Sequence, residues 1–290
     1  MPPPPHKRTL PVLATGCVVA GILLLAGYVV FVQTTAGQWL DYAGYFGRGK
    51  EAPTAGVFDG RLLGAVSPLH ILLAGGVVAL AGMVRRQPLT GLVAAGAAIV
   101  AIFGAEWFKA VLPYPSLVVP DGTVPAYFDT GTYPSGHTTV GSSLAFAALL
   151  AMPVGWMRWG SLLAGIVSTA FATGVLLVGW HRPSDAVGGI LWSGLCVGAG
   201  ALGLLAFRKK NPAVRPLGIA WPSVLGVCTV GLVLLVWGIS GNLASYGARP
   251  GSGVFLGWSA LIVAAAMGTA GWLGYVLSPL LMPPSDRRGR

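Results

Sequence analysis

Long runs of apolar residues dominate the chain, and eight of them read as membrane-crossing helices. About 18 or more apolar residues in a row can cross a hydrocarbon core of roughly 30 Å. The runs show no alternation between apolar and polar residues, which argues against strands of a β-barrel. The pattern predicts an all-α polytopic membrane protein with about eight transmembrane helices. The predicted spans are Leu10–Val32, Leu63–Val84, Leu89–Val111, Thr138–Val154, Gly160–Trp180, Ala186–Phe207, Ile219–Ile239 and Val254–Val276.

Composition supports the same class, because 54% of the 290 residues are hydrophobic and only 9% are charged. A soluble domain carries about 25% charged residues. The net charge of +10 comes from basic residues that flank the spans, so we expect them to set topology and predict no nucleic-acid partner. Cys17, Cys196 and Cys228 lie within apolar runs and have no metal-ligand spacing, which favours small core residues and no bound metal.

The distribution of charge predicts the orientation. With the N-terminus inside, the inner connections hold twelve of the 18 basic residues, whereas the outer connections hold six of the eight acids. The positive-inside rule then places both termini in the cytoplasm, and we expect the membrane to be a bacterial plasma membrane. The inner basic residues are Lys7, Arg8, Arg85, Arg86, Arg158, Arg208, Lys209, Lys210, Arg215, Arg287, Arg288 and Arg290. The outer acids are Asp41, Glu51, Asp59, Asp121, Asp129 and Asp185.

The spans and charges divide the chain into four predicted parts. These are a cytoplasmic tail (1–9), a membrane core (10–207), a basic cytoplasmic loop (208–218), and two further helices with a basic cytoplasmic C-terminus (219–290). The outer segment 33–62 places aromatic residues among glycines. That composition fits either a segment lying on the lipid headgroups or a packed lid with no direct chemistry.

Three short stretches within residues 106–185 carry candidate chemistry, and the predicted topology brings all three to the outer end of the spans. They are Glu106–Lys109, Tyr133–Thr138 and Gly179–Asp185. In the first, an acid inside an apolar span is a functional candidate. Glu106 could pair with Lys109 and position it, or it could simply reach water at the interface.

The second stretch contains Pro-Ser-Gly-His at a predicted helix start. Free backbone N–H groups at a helix N-terminus favour an anion, and Gly136 lets the backbone approach one closely. Ser135 can cap the helix or donate to a phosphate oxygen. His137 is placed to give a proton to a leaving alkoxide. The alternative is an ordinary cap beside an interfacial histidine.

The third stretch places His181 four residues before Asp185, with Pro183 suited to a first helical turn. A carboxylate at this spacing can hold one ring N–H of the histidine and leave the other nitrogen free as a nucleophile. Two of the four histidines of the chain thus fall at one predicted depth, which strengthens the functional interpretation of both stretches.

Together, these stretches resemble the type 2 phosphatidic acid phosphatase superfamily, which also includes the vanadium haloperoxidases. Pro134–His137 matches one family motif, and Gly179, His181 and Asp185 match another, while Lys109 fits the lysine of the first. The resemblance covers roughly residues 100–205 and implies a six-helix phosphatase-like core with its motifs on helices three to six.

The resemblance also implies a role for each matched residue, without a metal or other cofactor. His181 would attack phosphorus to form a phosphohistidine, Asp185 would orient it, and His137 would protonate the leaving group. Lys109, Ser135 and the N–H of Gly136 would stabilise the phosphate charge. Two arginines of the family pattern are absent, since Tyr114 and Val175 stand at or near their places, and we hypothesise that Arg182 supplies a phosphate contact instead.

The expected function is hydrolysis of a lipid phosphate or diphosphate at the outer face of the membrane, on a polyprenyl phosphate, polyprenyl diphosphate or phosphatidate-like lipid. One alternative is a phosphotransferase that uses the same residues and passes the phosphoryl group to a lipid acceptor. Another is a weakly catalytic or non-catalytic protein that binds lipid phosphates. The predicted partners are therefore the lipid phosphate and the bilayer.

Overall fold

The computed structural model describes residues 9–48, 58–117, 131–208 and 252–278. These residues form helices joined by short turns, and none of them lies in a β-strand. Single π-helical turns cover Tyr28–Val32 and Phe58–Leu63, and a 3₁₀ turn covers Val154–Trp156. The α-helices are α1 (Thr9–Gly27), α2 (Thr35–Gly47), α3 (Pro68–Val84), α4 (Pro88–Val111), α5 (Gly136–Ala151), α6 (Met157–Leu177), α7 (Pro183–Phe207) and α8 (Ser252–Leu277).

Five helical segments of the described residues are long and apolar enough to cross a membrane, so the protein is an all-α polytopic integral membrane protein. Helix α3 is a shorter apolar helix, and α5 has 16 residues. The predicted span Ile219–Ile239 lies outside the described residues. The five segments are Thr9–Val32, Pro88–Val111, Val154–Leu177, Pro183–Phe207 and Gly253–Leu277.

The predicted start of the second span, at Leu63, was wrong. Helix α3 begins at Pro68, whereas Leu63 ends a π-helical turn. Ser67 caps α3, because its hydroxyl accepts the N–H of His70 at 3.3 Å, and a proline is well suited to the first helical position. The prediction from apolar content alone started the helix too early, because it did not use this capping signal.

Helix α7 is the centre of the bundle and contacts α1, α4, α5, α6 and α8. Small residues on its buried surface let these neighbours approach closely, as is usual where helices pack within membranes. Helix α8 packs against α6 and α7 and is therefore part of the same bundle. The small buried residues of α7 are Ser184, Ala186, Gly188, Gly189, Ser193, Gly194, Cys196, Gly198 and Ala201.

Two hydrogen bonds connect helix ends near the candidate motifs. The hydroxyl of Tyr133 donates to the carbonyl of Leu24 at 2.7 Å, and the N–H of Ser135 donates to the carbonyl of Asp185 at 2.8 Å. These contacts set the end of α1 beside the starts of α5 and α7. At the other end of α5, Arg85 donates to the carbonyls of Ala151 and Met152, where the helix dipole favours a cation.

Helix α2 lies across the motif end of the bundle and packs against α8 and α7. Its buried residues recur at helical spacing, whereas Trp39 on the opposite face is 62% exposed. One face of α2 therefore packs against the bundle, and Trp39 faces outwards. The buried face consists of Gly37, Gln38, Asp41, Tyr42, Gly44 and Tyr45.

Candidate active site

The Pro-Ser-Gly-His turn begins α5 as a capped helix N-terminus. The hydroxyl of Ser135 accepts the N–H of Thr138 at 3.3 Å, and Ser135 is fully buried. A hydroxyl that accepts one bond still has its own proton to donate. The cap therefore leaves open the predicted donation from Ser135 to a phosphate oxygen.

Gly136 brings the backbone of this turn against the end of α4. A Cβ atom at Gly136 would lie 2.5 Å from Oε1 of Glu106 and 3.3 Å from Nζ of Lys109. The ammonium of Lys109 bonds to the same Glu106 oxygen at 2.6 Å, with Glu106 60% exposed and Lys109 22% exposed. The ion pair suggested by the sequence is present, and it lies beside the N-terminus of α5, where an anion would be favoured.

His181 and Asp185 form the pair that their spacing predicts. Nδ1 of His181 is 3.4 Å from Oδ2 of Asp185, so Nε2 is the nitrogen left for chemistry. The same carboxylate oxygen accepts the N–H of Arg182 at 3.1 Å. Both side chains lie at the sharp turn between α6 and α7, where Gly179 adopts a φ of 76°, a conformation that favours glycine.

His137 links the three stretches. Its half-buried ring lies 5.0 Å from that of Trp180, the residue before His181. Burial lowers the pKa of His137, and the nearby charges of His181 and Lys109 lower it further, while Glu106 opposes them. The ring contact brings His137 beside the turn that carries His181, and Lys109 lies against Gly136, the residue before His137. His137 lies outside the five membrane-crossing segments, at the end of the bundle.

Arg182 lies in a different environment from the one hypothesised for a phosphate contact. Its side chain has no exposed surface, and it is 3.8 Å from Asp41 and 3.5 Å from Asp185. Nη2 donates to the hydroxyl of Thr132 at 2.7 Å, and the guanidinium lies 4.4 Å from the centre of the Tyr114 ring. Because protein groups surround this cation, the geometry favours a positioning role behind the site.

Sequence reasoning missed Asp41 as a residue of this region. Its carboxylate lies on the buried face of α2, is fully buried, and accepts hydrogen bonds from Ser184 at the start of α7. Burial raises the pKa of Asp41, and the guanidinium of Arg182 opposes that rise. One feature of the sequence could have identified Asp41: it is a single acid on the face of α2 that carries aromatic and glycine residues at helical spacing.

Arg48 was also missed, and no local pattern marks it. A Cβ atom at Gly179 would lie 2.5 Å from Nη2 of Arg48, so this guanidinium lies against the turn that carries His181. Its Cζ is 3.8 Å from the centre of the Tyr45 ring. The hydroxyl of Tyr45 in turn donates to the carbonyl of Gly179 at 3.2 Å, so the end of α2 holds this turn in place.

An apolar cavity of about 670 Å³ opens beside the site, between α1, α7 and α8. Its walls include Leu23, Leu191 and Leu261, one from each helix. Tyr133 and Ser184 also line it, and each is close in sequence to a candidate site residue. Two of its lining residues therefore belong to the turns that carry Ser135 and Asp185.

No group of three or more histidine, cysteine or acidic side chains within the described ranges is arranged to hold a metal ion. Cys17 and Cys196 are buried without a disulfide, and Cys228 lies outside those ranges.

Comparison with known proteins identifies one family. Residues 90–211 match the sequence model of the PAP2 superfamily. The matched segment contains Lys109, His137 and the His181–Asp185 pair, whereas Asp41 lies outside it. The searches of curated proteins and of solved structures gave no significant match.

Proposed function

The segment 90–211 makes this chain a member of the PAP2 superfamily, and on that premise we propose that the protein hydrolyses a lipid phosphate or diphosphate through a phosphohistidine intermediate. Membership supports the general class, a phosphatase acting on phosphate esters at a membrane. The observation that carries the finer proposal is that Lys109 and the turn carrying His181 both lie against the capped N-terminus of α5, in whose first turn His137 lies.

In the first step, Nε2 of His181 attacks the phosphorus atom. A P–N bond forms as the bond from phosphorus to the ester oxygen breaks, and His137 gives its proton to the leaving lipid alkoxide. Asp185, bonded to Nδ1, fixes the tautomer that leaves Nε2 unprotonated and stabilises the positive charge that the ring acquires.

In the second step, water attacks the phosphohistidine. His137, now neutral, accepts a proton from the water as the P–O bond forms and the P–N bond breaks, which releases inorganic phosphate and restores both imidazoles. Lys109 and the first N–H groups of α5 stabilise the oxygens of phosphorus in both transition states, because an ammonium and N–H dipoles that are already in place need no rearrangement.

The apolar cavity supports a lipid as the substrate. Its walls lie on α1, α7 and α8, and Tyr133 and Ser184 connect it to the turns that would hold the phosphate. A hydrocarbon tail in this cavity would place the attached phosphate at the end of the bundle that carries His181. Its volume of about 670 Å³ falls within the usual range of roughly 300–1,000 Å³ for ligand sites.

The distribution of charge supports an outer-facing site. Among the described residues, Arg85, Arg86, Arg158 and Arg208 flank the helix ends opposite the candidate motifs. The positive-inside rule assigns that basic end to the cytoplasm. The lipid phosphate would then be hydrolysed at the outer surface, with both termini of the chain inside.

Phosphate release from purified protein tests the proposal. Phosphatidate, phosphatidylglycerol phosphate, a polyprenyl phosphate and a polyprenyl diphosphate are assayed in detergent micelles, with His181→Ala beside the unaltered protein. We expect release from at least one lipid and none above background from the variant. Equal release from both proteins would refute the role of His181. With radiolabelled lipid phosphate, label recovered in a second lipid would identify a transferase instead of a hydrolase.

A substitution within the cavity tests the lipid assignment. Ala265→Phe, in the α8 wall, should lower kcat/KM for a long-chain lipid phosphate while leaving that for a soluble aryl phosphate unchanged, because only the tail needs the cavity. Val19→Phe is the control, since Val19 lies on the exposed surface of α1. An equal loss on both substrates would contradict the assignment of the cavity to the tail.

A further inference from the structure

Helix α2 contributes a buried acid to the start of the helix that carries the proposed nucleophile's partner. Oδ1 of Asp41 accepts the backbone N–H of Ser184 at 2.9 Å, and Oδ2 accepts its hydroxyl at 2.5 Å. Ser184 is the second residue of α7, and N–H groups in the first turn of a helix have no partner within that helix. Asp41 therefore acts as a cap supplied from another helix.

The same acid also faces Arg182. Oδ2 of Asp41 is 3.8 Å from Nε of Arg182, while Nη2 of Arg182 is 3.5 Å from Oδ1 of Asp185. The guanidinium thus lies between the two carboxylates, and none of the three side chains has exposed surface. In such a dry environment, removing one member of a charged cluster leaves the others uncompensated.

These contacts connect Asp41 to His181 through Arg182 and Asp185. Arg182 follows His181 directly, and its N–H bonds to the Asp185 oxygen that also faces Nδ1 of His181. A change at Asp41 would therefore alter the position of Ser184 and Arg182, and with them the carboxylate that orients the imidazole. A displacement of about 1 Å in a reacting group can slow a reaction by about 100-fold.

We propose that Asp41 is a positioning residue, which fixes the first turn of α7 and the guanidinium of Arg182 so that Asp185 holds His181 in its reactive orientation. The proposal rests on the proposed function of His181 as the nucleophile. It makes α2 part of the working site, although α2 lies outside the segment 90–211 that matches the family. It also assigns Arg182 a role behind the site.

Two substitutions at Asp41 and one control on the same helix test the proposal. Asp41→Asn retains an oxygen for the N–H of Ser184 but removes the charge, and Asp41→Ala removes both. Thr34→Ala removes the cap of α2, where the Thr34 hydroxyl accepts the N–H of Gly37 at 3.0 Å. Loss of such a cap costs about 1 kcal/mol, so the control loosens α2 without touching α7.

For the lipid phosphate that is hydrolysed fastest, we expect kcat to fall about 10- to 100-fold in Asp41→Ala and less in Asp41→Asn. The KM and the inhibition constant of inorganic phosphate should stay within about threefold, because Asp41 does not touch the substrate. Thr34→Ala should retain kcat at temperatures well below its unfolding midpoint. A kcat within threefold of the unaltered protein in Asp41→Ala, or parallel losses of kcat and folded protein in all three variants, would overturn the proposal.

A second readout separates failure of this proposal from failure of the proposed function. The chain has four histidines, and in ¹⁵N-histidine NMR spectra the signal lost in His181→Ala identifies that ring. The positioning role predicts changed ring-nitrogen shifts for His181 in Asp41→Ala and unchanged shifts in Thr34→Ala. If no lipid phosphate were hydrolysed, the proposed function would fail, while an unchanged His181 signal in Asp41→Ala would by itself refute the positioning role.

Discussion

Opposite changes at Lys109 and Glu106 provide a sharp test of how the site works. The two side chains form one ion pair at 2.6 Å, yet their charges act in opposite directions on His137. Lys109 lowers the pKa of that imidazole and Glu106 raises it. Lys109→Met and Glu106→Gln remove these charges one at a time, with side chains of similar size.

The two substitutions should also lower the rate by unequal amounts. A hydrogen bond from Lys109 to a charged phosphate is worth about 1.5–3 kcal/mol, so Lys109→Met should lower kcat/KM by about 10- to 150-fold. Glu106 is 60% exposed, and an exposed ion pair is worth about 1 kcal/mol or less. Glu106→Gln should therefore change kcat/KM by no more than about fivefold.

The two substitutions should shift the pH dependence of the rate in opposite directions. His137 must carry a proton to act as the acid, so the rate falls as pH rises through its pKa. Removing Lys109 raises that pKa and moves the alkaline limb of log kcat/KM to higher pH. Removing Glu106 lowers the pKa and moves the same limb to lower pH.

The assay is phosphate release from lipid micelles between about pH 4 and 9, a range that extends well below the usual histidine pKa of about 6.5 because burial lowers the pKa of His137. Thermal unfolding of each variant is measured in parallel to confirm that it remains folded. Shifts of both limbs in one direction would refute the electrostatic assignment of His137. Equal losses in the two variants would show that Lys109 matters through its ion pair and not through a phosphate contact.

Two further outcomes follow from the buried cluster. Asp185→Asn should lower kcat by about 100- to 10,000-fold, because an amide cannot supply the charge that stabilises the His181 imidazolium; a loss below tenfold in steady-state assays would contradict this role. Arg182→Met should destabilise the fold by about 3–5 kcal/mol, because it leaves Asp41 and Asp185 without their cation. Unfolding experiments measure this loss, and the double variant with Asp41→Asn should recover part of it. No recovery in the double variant would mean that the two side chains are not coupled.

The sequence by itself determined the membrane class, the family and most of the motif geometry. Runs of apolar residues can be read without structure, since crossing a bilayer requires length and low polarity whatever the packing. The His181–Asp185 pair was equally readable, because residues four apart share one face of a helical turn. The cap formed by Ser135 follows from the same local physics, as does the approach of Gly136 to a neighbouring group.

Only the tertiary structure shows where the side chains of Arg182 and Asp41 lie. Arg182 follows His181 in the sequence, and this nearness suggested a phosphate contact. Its side chain instead lies between two carboxylates, one of them 141 positions earlier in the chain. Such pairings depend on which helices pack together at one end of the bundle, because a long-range contact leaves no periodic signal in the sequence. The cavity between α1, α7 and α8 is hidden for the same reason, since each wall reads locally as an ordinary apolar helix.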